Sequence, residues 1–132
     1  MASSGRKENM IPIAKFIEGV PYGQEKKRGN TTGLKEWSKA IREQTGDMSK
    51  VSVTCKLEVE FVLPEDKFPT DYPYGPDLDN LLKRFLDALN ATIFESVKGK
   101  DSCVVSLSAT KRKACKGEKT GARFRISGAN ID

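Results

Sequence analysis

A chain of 132 residues, 37% hydrophobic and 31% charged, fits one compact domain and is too apolar for wholesale disorder. It has no histidine, which excludes Ser-His-Asp hydrolysis, Cys-His proteolysis, His-ligated zinc and nucleases with an imidazole base. Its net charge of +5 admits a polyanionic partner without requiring one.

Residues 1–9 are polar and are expected to form a flexible N-terminus, with residues 10–132 as a single domain. Ile11–Ile17 reads as a short strand, and Pro12 places it at an edge or a strand start. Gly19–Gly33 carries four glycines and the run Lys26-Lys27-Arg28, so it reads as a basic loop. Leu34, Trp37, Ala40 and Ile41 recur at helical spacing, and Gly46 supplies a stop. Trp37 lies on that apolar stripe and is expected in the core rather than as a base-stacking platform. From Val51 to Phe61 apolar and polar residues alternate strictly, which predicts a strand with one face buried. Pro64–Pro76 holds four prolines and is a loop. Leu78, Leu81, Leu82, Phe85, Leu86 and Leu89 then share one arc of an amphipathic helix over Asp77–Asn90. After a loop over Lys98–Asp101, Val104–Thr110 and Ala122–Ser127 read as strands joined in a hairpin. The order β-α-β-α-β-β predicts an α+β fold, helices packed on one face of a mixed or antiparallel sheet.

The cysteines Cys55, Cys103 and Cys115 are odd in number and lack a C-x-x-C spacing, so neither disulfides nor a thiolate metal site is expected. No apolar run approaches a membrane span and no apolar signal core follows Met1, so a cytoplasmic location without membrane contact is expected. The sequons at Asn30 and Asn90 are discounted on the same ground.

Lys111, Arg112, Lys113, Lys116, Lys119, Arg123 and Arg125 face one acid, Glu118. Seven charges less one give this segment +6, which leaves the rest of the chain at −1 against the net +5. A lysine-protected edge is one reading of such a cluster. Its concentration in one predicted hairpin gives a phosphate-backbone reading equal weight, with Arg123 and Arg125 on one face and Lys26, Lys27 and Arg28 as further contacts.

Asp77 and Asp79 flank Leu78 at the entrance to the second helix, and Lys83 follows one turn later. Asp77 fits an ordinary N-cap, Asp79 a favourable charge at the helix start, and Lys83 an i,i+4 ion pair with Asp79. Taken alone, D-x-D-N at a helix start is a weak signal. The functional reading needs a third carboxylate, and a loop returning Asp101 to the helix N-terminus would supply it. Three carboxylates without histidine suit Mg²⁺ or Mn²⁺ and the in-line attack on a phosphodiester, with Lys83 or Lys111 neutralising developing charge.

Pro76-Asp77-Leu78-Asp79-Asn80-Leu81-Leu82-Lys83, continued by Leu86-Asp87-Ala88-Leu89-Asn90 and by Asp101-Ser102-Cys103-Val104-Val105 with Lys111, resembles the RusA family of Holliday-junction resolvases. The resemblance implies a small homodimeric α+β endonuclease that binds four-way DNA junctions and cuts two opposed strands with a divalent metal. It implies Asp77, Asp79 and Asp101 as the metal-binding catalytic acids and Lys83 as a catalytic lysine. This chain departs from the family pattern in having Lys100 beside Asp101, where a pair of acids is common, and Cys103 in place of a glutamine. The other readings are a non-catalytic nucleic-acid-binding protein on the same fold, and a plain interaction module that would leave the +6 segment unexplained. A pure binder gains nothing from carboxylates beside phosphates.

Overall fold

The computed structural model describes residues 12–22, 32–51, 53–64, 77–97 and 99–128. Strand β1 (Ile13–Glu18) is followed by helix α1 (Thr32–Thr45), strand β2 (Cys55–Leu63), helix α2 (Leu78–Leu89), a 3₁₀ turn over Lys100–Cys103, strand β3 (Val104–Lys113) and strand β4 (Gly121–Gly128). The predicted element order and the α+β class hold.

The four strands form one mixed sheet in the order β1-β4-β2-β3. β4 pairs antiparallel with both β1 and β2, while β2 and β3 are parallel. The predicted hairpin between the last two strands is therefore incorrect: β2 lies between them. The reason is burial. Cys55, Leu57, Val59 and Phe61 bury one face of β2, and Val62 and Leu63 are buried as well, so this strand belongs in the centre. β3 exposes most of its residues and takes the edge. A parallel β2–β3 pair needs a crossover helix, and α2 provides it. The link 114–120 then crosses the C-terminal end of β2, where the Ala114 N–H donates to the Leu63 carbonyl at 2.8 Å.

β2 also starts later than the alternation predicts. The Val51 N–H donates to the Ile93 carbonyl at 2.9 Å rather than to a neighbouring strand, and Val53 is half exposed. Pro12 does precede an edge strand. The outer edge of β1 is capped at Glu18 by the Gln44 side chain, which accepts from the Glu18 N–H and donates to its carbonyl, both at 2.9 Å.

Both helices pack on one face of the sheet. Phe85 of α2 meets Phe61 and Phe124 edge-on, with ring centroids 5.8 and 5.5 Å away. Trp37 and Ile41 of α1, with Leu81 and Leu89 of α2, complete this core, so Trp37 is a core residue as predicted. A buried hydroxyl pair, Thr45 and Thr92 at 2.8 Å, ties the end of α1 to the turn after α2. Among the described residues no helix is long and apolar enough to cross a membrane.

Candidate functional site

Asp77 occupies the N-cap of α2 with extended backbone, φ −65° and ψ 136°, and its carbonyl accepts the Leu81 N–H at 3.0 Å. Its side chain makes no capping hydrogen bond. Asp79 in the first turn and Lys83 one turn on are both exposed. Among the described residues no ion pair joins them. The capping and pairing roles that would account for these side chains structurally are thus not taken up, and both carboxylates stand open at the positive end of a helix.

Asp101 is placed elsewhere. It lies in the 3₁₀ turn before β3, and the Asn90 Nδ2 donates to its Oδ2 at 3.2 Å. Asn90 is the C-cap of α2, so Asp101 sits at the C-terminal end of the helix, not at the N-terminus where the sequence reading brought it. A rise of 1.5 Å per residue puts the Cα atoms of Asp77 and Asn90 about 20 Å apart. Side chains recover only a few ångströms at each end, so the Asp77 and Asp101 carboxylates remain roughly 10 Å apart or more. Two carboxylates on one Mg²⁺ need oxygens within roughly 4 Å, since each bond is about 2.1 Å. Accordingly, no three acidic or thiol side chains among the described residues form a group able to hold a metal. The donor chemistry suits a hard divalent cation, but the three acids as folded do not close around a single one.

The turn that carries Asp101 is tightly built. Gly99 has φ 82° and Lys100, a non-glycine, φ 53°. The Ser102 N–H donates to the Gly99 carbonyl at 2.9 Å, and a Cβ on Gly99 would collide with the Ser102 Oγ. Cys103 anchors the end of the turn in the core, with its Sγ 3.9 Å from that of Cys55. Burial pushes the Cys55 thiol up to about 12 and raises that of Cys103. Both thiols are free and buried, while Cys115 is exposed.

The basic segment is divided by the sheet order. Alternation places Arg112, Arg123 and Arg125 on the face opposite the helices, together with Glu58 and Glu60 of the intervening β2. Arg112 donates to Glu60 at 3.0 Å and makes a two-pronged pair with Glu118 at 2.8 and 2.6 Å. These hydrogen bonds raise the Arg112 pKa, and the same guanidinium holds the Glu118 carboxyl down at about 2. Arg123 lies 3.7 Å from Glu60 and 5.0 Å over the Phe16 ring. Arg125 is exposed opposite Glu58 in the register, with no ion pair among the described residues. Ala14, Glu58, Glu60, Thr110, Arg123 and Arg125 line a cavity of ≈ 430 Å³ on this open face.

Lys111 projects to the helix-bearing side, in register with Phe61 at the end of β3 remote from Asp101. Lys113, Lys116 and Lys119 are exposed, and Lys119 makes a loose pair with Glu18 at 3.7 Å. Lys26, Lys27 and Arg28 lie outside the described residues. The sequence reading missed the neutralising Glu58 and Glu60, because their alternation announced only a face open to water or to a partner. It also missed the Asn90–Asp101 contact, which joins residues on separate elements.

A family model, Endodeoxyribonuclease RusA, matches residues 21–126. No curated protein matches the chain. The match runs from before α1 to within β4, taking in the Asp77–Lys83 helix start, the Asp101 turn and the basic strands. The chain therefore belongs to the RusA endodeoxyribonuclease family.

Proposed function

We propose that this protein is a metal-dependent, structure-selective endodeoxyribonuclease that resolves four-way DNA junctions by paired symmetric nicking in recombination and repair. In this reading it acts as a homodimer in the cytoplasm, because two equivalent sites match the two-fold symmetry of a junction. Mg²⁺ is the proposed cofactor and Mn²⁺ its substitute. The observation that carries the reading is the pair Asp77 and Asp79. Both carboxylates are exposed and unengaged by capping or by Lys83, in a chain whose family cuts DNA.

Asp77, Asp79 and Asp101 are the proposed catalytic and metal-binding acids, and Lys83 the catalytic lysine. A bound divalent cation would supply an activated water and charge stabilisation at the phosphodiester. Lys83, on the same flank as Asp79, offers its ammonium to phosphoryl oxygens as charge builds on them. Because Asp101 lies a helix length from Asp77, at the opposite end of the packed α2, the three acids of one chain as folded do not meet at one phosphodiester. Lys111, Lys113, Lys116, Lys119, Arg123 and Arg125, with Lys26, Lys27 and Arg28, are the proposed phosphate contacts. Arg112 belongs to the same proposed set and is its weakest member, since two glutamates already engage it.

The test is cleavage of a synthetic four-way junction beside a linear duplex, each with Mg²⁺, Mn²⁺ or EDTA. Paired nicks on the junction alone, lost with EDTA, are expected. The separation of Asp101 from Asp77 favours one alternative, a non-catalytic DNA-binding protein on the same fold. Tight junction binding with no cutting in either metal would identify it.

A further inference from the structure

Asn90 ends α2 as its C-cap with right-handed backbone, φ −62° and ψ −19°, so no left-handed conformation calls for asparagine there. The backbone does not demand asparagine, so what distinguishes this residue is its side-chain contacts. Its Nδ2 donates to Asp101 Oδ2 at 3.2 Å. Its Oδ1 is buried and has no hydrogen-bond partner among the described residues. An amide that leaves a buried acceptor unsatisfied is not there for stability alone. Asp101 itself follows two consecutive left-handed residues, Gly99 and Lys100, and precedes the buried Cys103. A left-handed lysine is costly and marks a site where the surrounding structure dictates the backbone. The turn thus fixes the Asp101 Cα, and the one freedom left is rotation of its side chain. The Asn90 carboxamide restrains that rotation by engaging one carboxylate oxygen.

We infer that Asn90 is a positioning residue: it holds Asp101 in the rotamer used for cleavage. The inference rests on the reading of Asp101 as a catalytic acid. Asn90 need not touch DNA or metal to act in this way.

The test compares wild-type protein with Asn90→Ala, Asn90→Leu and Asp101→Asn on a synthetic four-way junction with Mg²⁺, under single-turnover conditions. Junction affinity and thermal midpoint are measured for each. Asn90→Leu keeps a branched side chain of the same number of heavy atoms, at greater volume, and removes the polar group. Both Asn90 variants are expected to cut about 10–100-fold more slowly, the range typical for outer-sphere partners of catalytic ligands. Their junction affinity and thermal midpoint are expected to match wild type, and Asp101→Asn is expected to be inactive. If Asp101→Asn is inactive while Asn90→Leu cuts at the wild-type rate, the positioning role is overturned and Asp101 stands. If Asp101→Asn cuts normally, the reading of Asp101 fails and takes the inference with it. A slower Asn90→Leu whose thermal midpoint has fallen in step would show a packing role and also overturn the proposal.

Discussion

Asp79 is exposed in the first turn of α2 and has no ion-pair partner among the described residues. A carboxylate in that setting contributes little to folding beyond its favourable place at the helix start, typically about 0.3–1 kcal/mol. Its removal therefore separates chemistry from structure. Asp79→Asn is expected to abolish junction cleavage while junction affinity stays equal or rises, because a charge that repels phosphate is gone. Gel-shift titration beside the cleavage assay checks both, and lost affinity would mark Asp79 as structural. Glu118 is the converse case, a carboxylate committed to the fold. Arg112 and the Cys115 N–H hold its carboxyl at about 2, against an ordinary value of 4.5. Its folded pKa is depressed, so its contribution is present in full above the ordinary value and fades as pH falls toward the folded one. Glu118→Gln is expected to lower the thermal midpoint at neutral pH, with the gap to wild type closing between about pH 5 and about pH 2. A gap that stays constant with pH would show that the pair is energetically idle.

At the scale of elements, α2 serves two ends at once. Its apolar arc seats Phe85 between Phe61 and Phe124, and this fixes where Asp77 and Asn90 emerge. Phe85→Ala removes a fully buried ring from contacts with two strands, and a loss of about 3–5 kcal/mol is expected from chemical denaturation. A much smaller loss would mean that the core closes over the gap. The link 114–120 is the other element with a structural task. It passes over the end of β2, held by Arg112, Glu118 and the Ala114–Leu63 hydrogen bond. That passage lets β2 occupy the centre and leaves β3, which ends in Lys111-Arg112-Lys113, at the edge, where unpaired strands gain from charge.

Across the whole molecule, the +6 segment does not make one basic surface. Glu58 and Glu60 stand between the arginines of β3 and β4 and cancel part of their field. The arginines therefore differ in their availability to phosphate. Arg125→Ala is expected to lower the slope of log affinity against log salt by about 1. Arg112→Ala is expected to leave that slope unchanged and to lower the thermal midpoint instead. Glu60→Gln is expected to tighten junction binding, since it frees Arg123 from its acidic neighbour. Measuring all three over a salt series decides whether the open face takes the DNA backbone, and an unchanged slope for Arg125→Ala would exclude it.

Local pattern alone determined much of this protein. The apolar arc of α2, the alternation of β2 and the place of Trp37 in the core follow from side-chain periodicity, and Pro12 marks β1 for an edge or a strand start. Periodicity is a property of neighbours in the chain, so the sequence displays it directly. The Asp77–Lys83 helix start was legible in the same way, as were the facing arginines Arg123 and Arg125. Only the tertiary structure decided which strands pair. Two adjacent strands in sequence read as a hairpin, yet the burial demanded by Cys55–Leu63 drew β2 between them. It also decided the company of the charged groups. Cross-strand register set Glu60 beside Arg112 and Arg123, and helix length parted Asp101 from Asp77 and delivered it to Asn90. These are long-range consequences of packing one sheet against two helices, and no run of neighbouring residues encodes them.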